Sequence, residues 1–151
     1  MTNFIGDFSC KLDAKGRIML PVAFKKQLLA SEPSARETFV VKKDIFENCL
    51  VLFPISEWER QVEIIRTKLN PYNKEHNIFL RGFHRGKAEV EMDNNNRLLI
   101  PKRLLDLVNI DKEVILAGLD GKIEIWAKEV YDTMEQNDND FALLAEKILG
   151  S

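Results

Sequence analysis

The chain has 151 residues, of which 45% are hydrophobic and 30% charged, and its formal net charge is −2. This composition is typical of a folded globular protein and excludes a disordered or fibrous chain. The length fits one medium domain or two small ones and is too short for a TIM barrel. The near-neutral charge by itself gives no sign of nucleic-acid binding, which usually leaves a basic surface.

The sequence has no apolar run approaching the ~18 residues of a membrane span, and its first residues lack the basic region and apolar core of a signal peptide. The two cysteines, Cys10 and Cys49, form no CxxC pair and have no clustered histidines nearby. We therefore expect a cytoplasmic protein without membrane association, disulfide framework or metal site.

The first elements form a strand, a turn and a returning strand. Alternating apolar and polar residues predict a strand over residues 8–12, followed by a turn at residues 14–16 and a second strand at residues 18–20. Pro21 ends that strand and suits the first turn of a helix whose buried face includes Phe24. These elements predict a local hairpin that leads into a helix.

A second hairpin and two helices complete the first part of the chain. Apolar runs at residues 39–44 and 50–53 predict the hairpin. Ser56 and Glu59 form a capping box, which predicts the start of the next helix. Its apolar stripe consists of Trp58, Val62, Ile65 and Leu69. The stripe ends near Asn70-Pro71, and a short helix is predicted over residues 73–81.

The same pattern then recurs. Residues 13–21 and 93–101 both have D-x-x-x-R followed by three aliphatic or methionine residues and a proline, at an offset of 80. Residues 50–53 match residues 123–126 at an offset of 73, because the first half has a longer loop. A repeat of this length indicates two copies of one supersecondary unit. Each half is predicted to have the order β-β-α-β-β-α.

The second half has the clearest hairpin signal, Asp120-Gly121 between residues 114–119 and 122–126. Four short strands in one half bury little apolar area alone, so we expect the two halves to complete each other's barrel. The sequence therefore predicts a mainly β, α+β fold, a pseudo-twofold barrel of two tandem repeats with peripheral helices.

The chain closes with an acidic segment and a predicted helix over residues 141–149. From Glu129 onward, six acidic residues stand against Lys147 alone, which leaves residues 1–128 with a net charge of +3. We interpret the helix as packing on its own protein or on a neighbouring subunit, because its polar face lacks the basic residues that a membrane-surface helix needs.

The doubled D-x-x-x-R motif carries the candidate functional residues. Arg17 and Arg97 each offer a planar fork of donors suited to guanine or phosphate, whereas Lys15 is a point charge suited to phosphate. A two-stranded hairpin can enter the major groove. The alternative is that each arginine pairs with the aspartate of its own motif and only holds the turn. We expect Asp13 and Asp93 to orient the arginines, and the arginines to contact DNA.

The two copies differ in charge. Lys15-Gly16 in the first becomes Asn95-Asn96 in the second, so the second copy loses a positive charge and is expected to engage DNA less strongly. Three basic residues before the second motif are candidate phosphate contacts: Arg81, Arg85 and Lys87.

No enzymatic motif is present. His76 and His84 have no glutamate or cysteine in metal-ligand spacing, and Cys49 is interpreted as a small buried or partly buried thiol. Residues 118–122 lack the spacing of a phosphate-binding loop and are interpreted as a hairpin turn. We therefore predict no catalytic residue, cofactor, metal or small-molecule substrate.

With these motifs, the sequence resembles the MraZ family of bacterial transcriptional regulators, whose halves each resemble an AbrB-type swapped-hairpin barrel. The resemblance covers nearly the whole chain and is carried by the doubled motif, Pro21, Pro101, the Trp58 helix and Asn70-Pro71. It implies a cytoplasmic, nucleoid-associated repressor of the division and cell-wall gene cluster. It also implies a homo-oligomeric ring that presents the motifs to direct repeats in double-stranded promoter DNA.

The resemblance divides the chain into four segments. They are a first AbrB-like half (1–70), a linker helix (71–82), a second AbrB-like half (83–135) and an acidic tail with a C-terminal helix (136–151). The two halves are expected to form one folding unit. One alternative function stays open, an oligomeric adaptor that uses the same barrel to bind a protein instead of DNA.

Overall fold

The computed structural model describes residues 2–35, 37–134 and 138–150, and within these ranges it has eight strands and six helices. The strands are β1 (Asp7–Lys11), β2 (Arg17–Met19), β3 (Thr38–Lys43), β4 (Leu50–Pro54), β5 (Ala88–Glu91), β6 (Arg97–Leu99), β7 (Glu113–Leu119) and β8 (Lys122–Ala127). The helices are α1 (Val22–Ser31), α2 (Ile55–Lys68), α3 (Lys74–His84), α4 (Lys102–Leu107), α5 (Lys128–Thr133) and α6 (Asp138–Leu149).

The strands form a six-stranded antiparallel sheet in the order β1-β7-β8-β4-β3-β5 and a separate two-stranded ribbon, β2-β6. The counterparts in the two halves are β1 and β5, β3 and β7, and β4 and β8. If each strand is replaced by its counterpart, the strand order of the sheet is the same one read from the other edge. This symmetry follows from the repeat, because each strand of the first half has a counterpart in the second. The predicted α+β fold of two tandem swapped-hairpin halves with peripheral helices is confirmed.

The local hairpin predicted around the first motif is wrong in its pairing. β1 pairs with β7, and β2 pairs with β6, so both strands that flank the turn find partners in the other half. Only the turn itself is closed locally, because the main-chain N–H of Asp13 donates to the carbonyl of Arg17 at 3.0 Å. The hairpin predicted at Asp120-Gly121 is confirmed, with Leu119 paired to Lys122.

Apolar side chains fill both faces of the central strands. Phe39, Val41 and Leu52 point into the main core, which the ribbon, α1 and α4 cover. Val40 and Phe53 point to the other face, where α2 and α3 cover them. Continuous apolar runs in the sequence are typical of strands that are buried on both sides.

An aromatic cluster holds α2 and α3 on the outer face of the sheet. The Trp58 ring stacks on Phe83 with centroids 5.4 Å apart and planes 9° apart. In the other half of the sheet, Trp126 of β8 packs against Tyr131 of α5. α2 and α5 therefore occupy equivalent positions in the two halves.

The helix starts follow the prolines, with one correction. α1 and α4 begin directly after Pro21 and Pro101, as predicted. The predicted capping box of Ser56 is wrong, because α2 begins at Ile55 straight after β4 and has no side-chain hydrogen bond at its cap. Ser56 already lies in the first turn of the helix, where its hydroxyl is past the capping position.

The linker helix α3 is longer than predicted. Its cap is Asn73, whose side chain accepts a hydrogen bond from the main-chain N–H of His76 at 3.1 Å. It runs to His84, because Phe83 is buried against Trp58 and extends the apolar face beyond residue 81.

α6 exposes most of its apolar face. Phe141 is 60% exposed and Leu143 is 65% exposed. The expectation that this helix packs on its own protein is therefore wrong for the single chain, and packing on a neighbouring subunit stays a prediction. In the ranges that the structure describes, no helix is long and apolar enough to cross a membrane.

Candidate nucleic-acid interface

The β2-β6 ribbon brings the two D-x-x-x-R motifs together on one surface. Arg17 pairs with Leu99, Ile18 with Leu98, and Met19 with Arg97. Ile18 and Leu98 are buried in the main core, so the residues on either side of them face outward. The outward residues are Arg17, Met19, Arg97 and Leu99.

Asp13 holds the first turn with both carboxylate oxygens. Oδ1 accepts the main-chain N–H of Lys15 and of Arg17, each at 2.9 Å, and Oδ2 accepts Nε of Arg17 at 2.6 Å. The main-chain bond from Arg17 is the largest cause that lowers the pKa of Asp13 from 3.8 to about 2. The carboxyl is therefore ionised near neutral pH, and it fixes the orientation of the guanidinium.

Asp93 repeats this arrangement in the second turn. Its Oδ1 accepts the main-chain N–H of Asn95 at 2.8 Å and of Arg97 at 2.9 Å, and its Oδ2 accepts Nε of Arg97 at 3.0 Å. The pKa of Asp93 is lowered, chiefly by the main-chain bond from Arg97. Both turns thus have the same internal hydrogen bonds, although all three of their central residues differ.

The two turns are also bonded to each other's strands. The main-chain N–H of Ile100 donates to the carbonyl of Gly16 at 3.1 Å, and that of Leu20 donates to the carbonyl of Asn96 at 2.9 Å. Gly16 and Asn96 both have positive φ, 83° and 62°, a conformation that glycine and asparagine tolerate best. The turns and the ribbon therefore form one connected unit.

In the structure without DNA, each arginine of the two motifs forms an ion pair within its own motif. Arg17 and Arg97 pair with their own aspartates, as the alternative interpretation of the motif states, and each is 27% exposed at its side chain. Each arginine uses its Nε–H for this pairing. The remaining N–H donors of a guanidinium are on its two terminal nitrogens. Lys15 is exposed, and its main-chain N–H is the group that contacts Asp13.

The candidate phosphate contacts lie elsewhere. Arg81, Arg85 and Lys87 are exposed at the end of α3 or directly after it, where Nζ of Lys87 lies 2.9 Å from Nδ1 of His84. With a rise of about 3.3 Å per residue, β5 separates Lys87 from Asp93 by roughly 20 Å. Lys87 therefore lies well away from the second turn, and the role of all three basic residues stays a prediction.

Sequence reasoning missed three residues at this surface. Met19 and Leu99 project from the outer face of the ribbon and are 57% and 54% exposed. Lys25, on α1, reaches the second turn and donates to the side chain of Asn96. No local pattern marks these residues, because their positions depend on the pairing of β2 with β6.

Candidate metal ligands and the buried cysteine are the remaining groups of chemical interest in the described residues. These residues contain no group of three or more His, Cys, Asp or Glu side chains placed to hold a metal ion. Cys49 is fully buried, and burial raises the pKa of its thiol, with the nearby Glu124 carboxylate adding to the effect. The Cys49 thiol is therefore a packed side chain and not a nucleophile.

The fold and the site together define a class of protein. Its members have two tandem swapped-hairpin halves, and a two-stranded ribbon connects the D-x-x-x-R turns of these halves. A family model described as "MraZ protein, putative antitoxin-like" matches residues 3–82 and again residues 83–148. The chain belongs to the MraZ family.

Three full-length relatives illustrate this membership, each named "Transcriptional regulator MraZ". The relative from Christiangramia forsetii is 44% identical over 152 aligned residues, covering 100% of this chain and 96% of the relative. The relative from Phocaeicola vulgatus is 40% identical, and the alignment covers 98% of this chain and 94% of the relative. The relative from Flavobacterium psychrophilum is also 40% identical, and the alignment covers 100% of this chain and 94% of the relative. These relatives are named as regulators and not as enzymes.

Proposed function

We propose that this protein is a sequence-specific DNA-binding transcriptional regulator that represses the division and cell-wall gene cluster. It works in the cytoplasm, on the nucleoid, and binds direct repeats in its promoter as a homo-oligomeric ring. The observation that carries the proposal is the joining of both D-x-x-x-R turns by the β2-β6 ribbon.

The ribbon has the chemistry for contact with base edges. A two-stranded β-ribbon fits the major groove, where an arginine can bind O6 and N7 of guanine with two donors. Arg17 and Arg97 lie on the outward face beside Met19 and Leu99, whose apolar side chains suit the thymine methyl group. Asp13 and Asp93 keep the arginines in place.

Phosphate contacts come from residues around the ribbon. Lys15 lies in the first turn and supplies a point charge, which suits a phosphate better than a base. Such contacts set orientation, whereas the arginine contacts set sequence preference. Because the formal net charge is −2, a single chain has little general attraction for DNA. High affinity therefore comes from several subunits that bind adjacent repeats.

A mobility-shift experiment tests this function. Purified protein is titrated onto DNA from upstream of its own operon, and onto a matched duplex of the same length and composition in which the repeats are scrambled. We expect a shift with the native duplex at near-physiological salt, and a much weaker one with the scrambled duplex. No shift even at low salt would favour the oligomeric adaptor that binds a protein partner.

A further inference from the structure

The two turns differ in what supports them from outside. Nζ of Lys25, on α1, donates to Oδ1 of Asn96 at 2.5 Å, across the boundary between the halves. Lys25 also lies 3.5 Å from a carboxylate oxygen of Glu37, and its side chain is 29% exposed. A lysine of the first half therefore holds the turn of the second half by the last of its three asparagines.

The first turn has no equivalent of this contact. At the offset of 80, Gly16 corresponds to Asn96, and Leu105 corresponds to Lys25. A Cβ placed on Gly16 would lie 3.6 Å from Cδ1 of Leu105, so an apolar side chain packs where the second turn has an ammonium group. The two turns share their main-chain hydrogen bonds, but they differ at this pair of positions.

The asymmetry also bears on charge. The second turn lacks the positive charge that Lys15 gives the first, because Asn95 stands in its place. Lys25 returns an ammonium group to the second turn, although it comes from another element. A hydrogen bond from a charged donor is stronger and shorter than a neutral one, so it restrains a surface turn effectively.

We propose that Lys25 is a positioning residue for the second turn. It fixes Asn96, and through Asn96 it fixes the neighbouring Arg97 in the geometry that contacts DNA. The inference rests on the proposed function, since it assigns a role in DNA binding. It implies that the second turn contributes to binding despite the loss of the Lys15 equivalent.

A set of matched variants separates this role from general charge or folding effects. Lys25→Met removes the donor and keeps most of the length of the side chain. Lys26→Met removes the same charge from the next residue of α1, which is exposed. Asn96→Gly removes the acceptor and installs the residue of the first turn, which suits the positive φ.

We expect Lys25→Met to weaken operator binding about tenfold, the effect of losing one charge-assisted hydrogen bond. Lys26→Met should change binding less than twofold, and Lys25→Arg should retain most of the affinity. In the Asn96→Gly background, Lys25→Met should have no further effect, because a residue that acts through Asn96 has nothing left to hold. An equal loss in both backgrounds would overturn the proposal.

A second measurement works without DNA. Amide hydrogen exchange of the free protein should be faster at Asn95 and Asn96 in Lys25→Met, and unchanged at Lys15 and Gly16, which serve as the internal control. Unchanged exchange at both turns would refute the role of Lys25. The proposed function is tested separately, because it predicts a mobility shift with the unmodified protein. The absence of that shift would contradict the proposed function, whatever the exchange rates show.

Discussion

Nη1 of Arg97 lies 3.7 Å from Oδ2 of Asp13, so the second motif's arginine contacts the first motif's aspartate. Asp13 also accepts Nε of Arg17 at 2.6 Å. One carboxylate thus lies within ion-pair distance of two guanidinium groups that belong to different halves of the chain. The two motifs form one charge network, and a change in either motif is expected to affect the other.

Replacing the arginines should weaken sequence-specific binding. We expect Arg17→Ala to lower operator affinity by about 1 to 3 kcal/mol per engaged motif and to relax base preference, because a bidentate contact to guanine is lost. Lys15→Ala should weaken binding to all DNA sequences alike, and it should make the affinity less dependent on salt concentration. Fluorescence anisotropy with operator and scrambled duplexes measures both effects.

A surface arginine gives the matched control for this prediction. Arg66 pairs with Glu63 on the exposed side of α2, and Arg66→Ala should leave binding unchanged. Circular dichroism first establishes that each variant is folded. If Arg17→Ala lowers the melting temperature while the folded fraction binds as before, the arginine only holds the turn.

The low pKa of Asp13 makes the first turn sensitive to acid. A carboxyl whose pKa is lower in the folded state stabilises that state when ionised. This contribution is complete above the ordinary value of 3.8 and is lost as the pH falls through about 2. Carboxyl ¹³C NMR should give a titration midpoint for Asp13 near 2, and Asp13→Asn should remove the corresponding pH dependence of stability.

The causes of the Asp13 shift allow a sharper test. The largest contribution is the main-chain N–H of Arg17, which Arg17→Ala retains. In that variant the midpoint should rise toward 3.8 and remain below it, because the side-chain bond and the nearby charge are lost. A midpoint at or above 3.8 would show that the side chain alone sets the pKa.

Ring assembly predicts a dependence on DNA spacing. When subunits are fixed in one ring, contacts after the first are intramolecular, and avidity can exceed single-site affinity by about 10² to 10⁴. Inserting about five base pairs between two repeats turns the second repeat to the far side of the helix, whereas about ten restore its facing. We expect the insertion of about five base pairs to weaken binding far more than the insertion of about ten.

Light scattering provides the companion measurement and should show a closed oligomer. A monomeric protein, or equal affinity for both insertions, would mean that each chain binds its site alone.

Two glycines should respond in opposite ways to a methyl group. A Cβ at Gly118 would collide with the main-chain carbonyl of Phe4, so Gly118→Ala should destabilise the fold by about 1 to 3 kcal/mol. Gly82 lies within α3 with no neighbouring heavy atom within 4 Å of such a Cβ. Gly82→Ala should stabilise the protein by about 0.5 to 1 kcal/mol, because alanine favours helix. Urea unfolding measures both changes, and a Gly118→Ala variant as stable as the unmodified protein would contradict the packing at Gly118.

Several features follow from the sequence by itself, because they depend on neighbouring residues. The two motifs with their prolines predict turns followed by helices, and α1 and α4 begin after Pro21 and Pro101. Asp120-Gly121 predicts the β7-β8 hairpin, because asparagine, aspartate and glycine tolerate the backbone angles of a tight turn. The bonds between each aspartate and its own arginine also span only five residues.

Only the tertiary structure decides which strands pair. A local hairpin and a swapped one bury the same apolar residues, so the hydrophobic pattern of β1 and β2 does not distinguish them. The observed pairs join β1 to β7 and β2 to β6, and they depend on how two distant halves fit around one core. The same pairing places Lys25 beside Asn96 and Arg97 beside Asp13. Contacts between residues so far apart in sequence arise from packing, for which no local pattern exists.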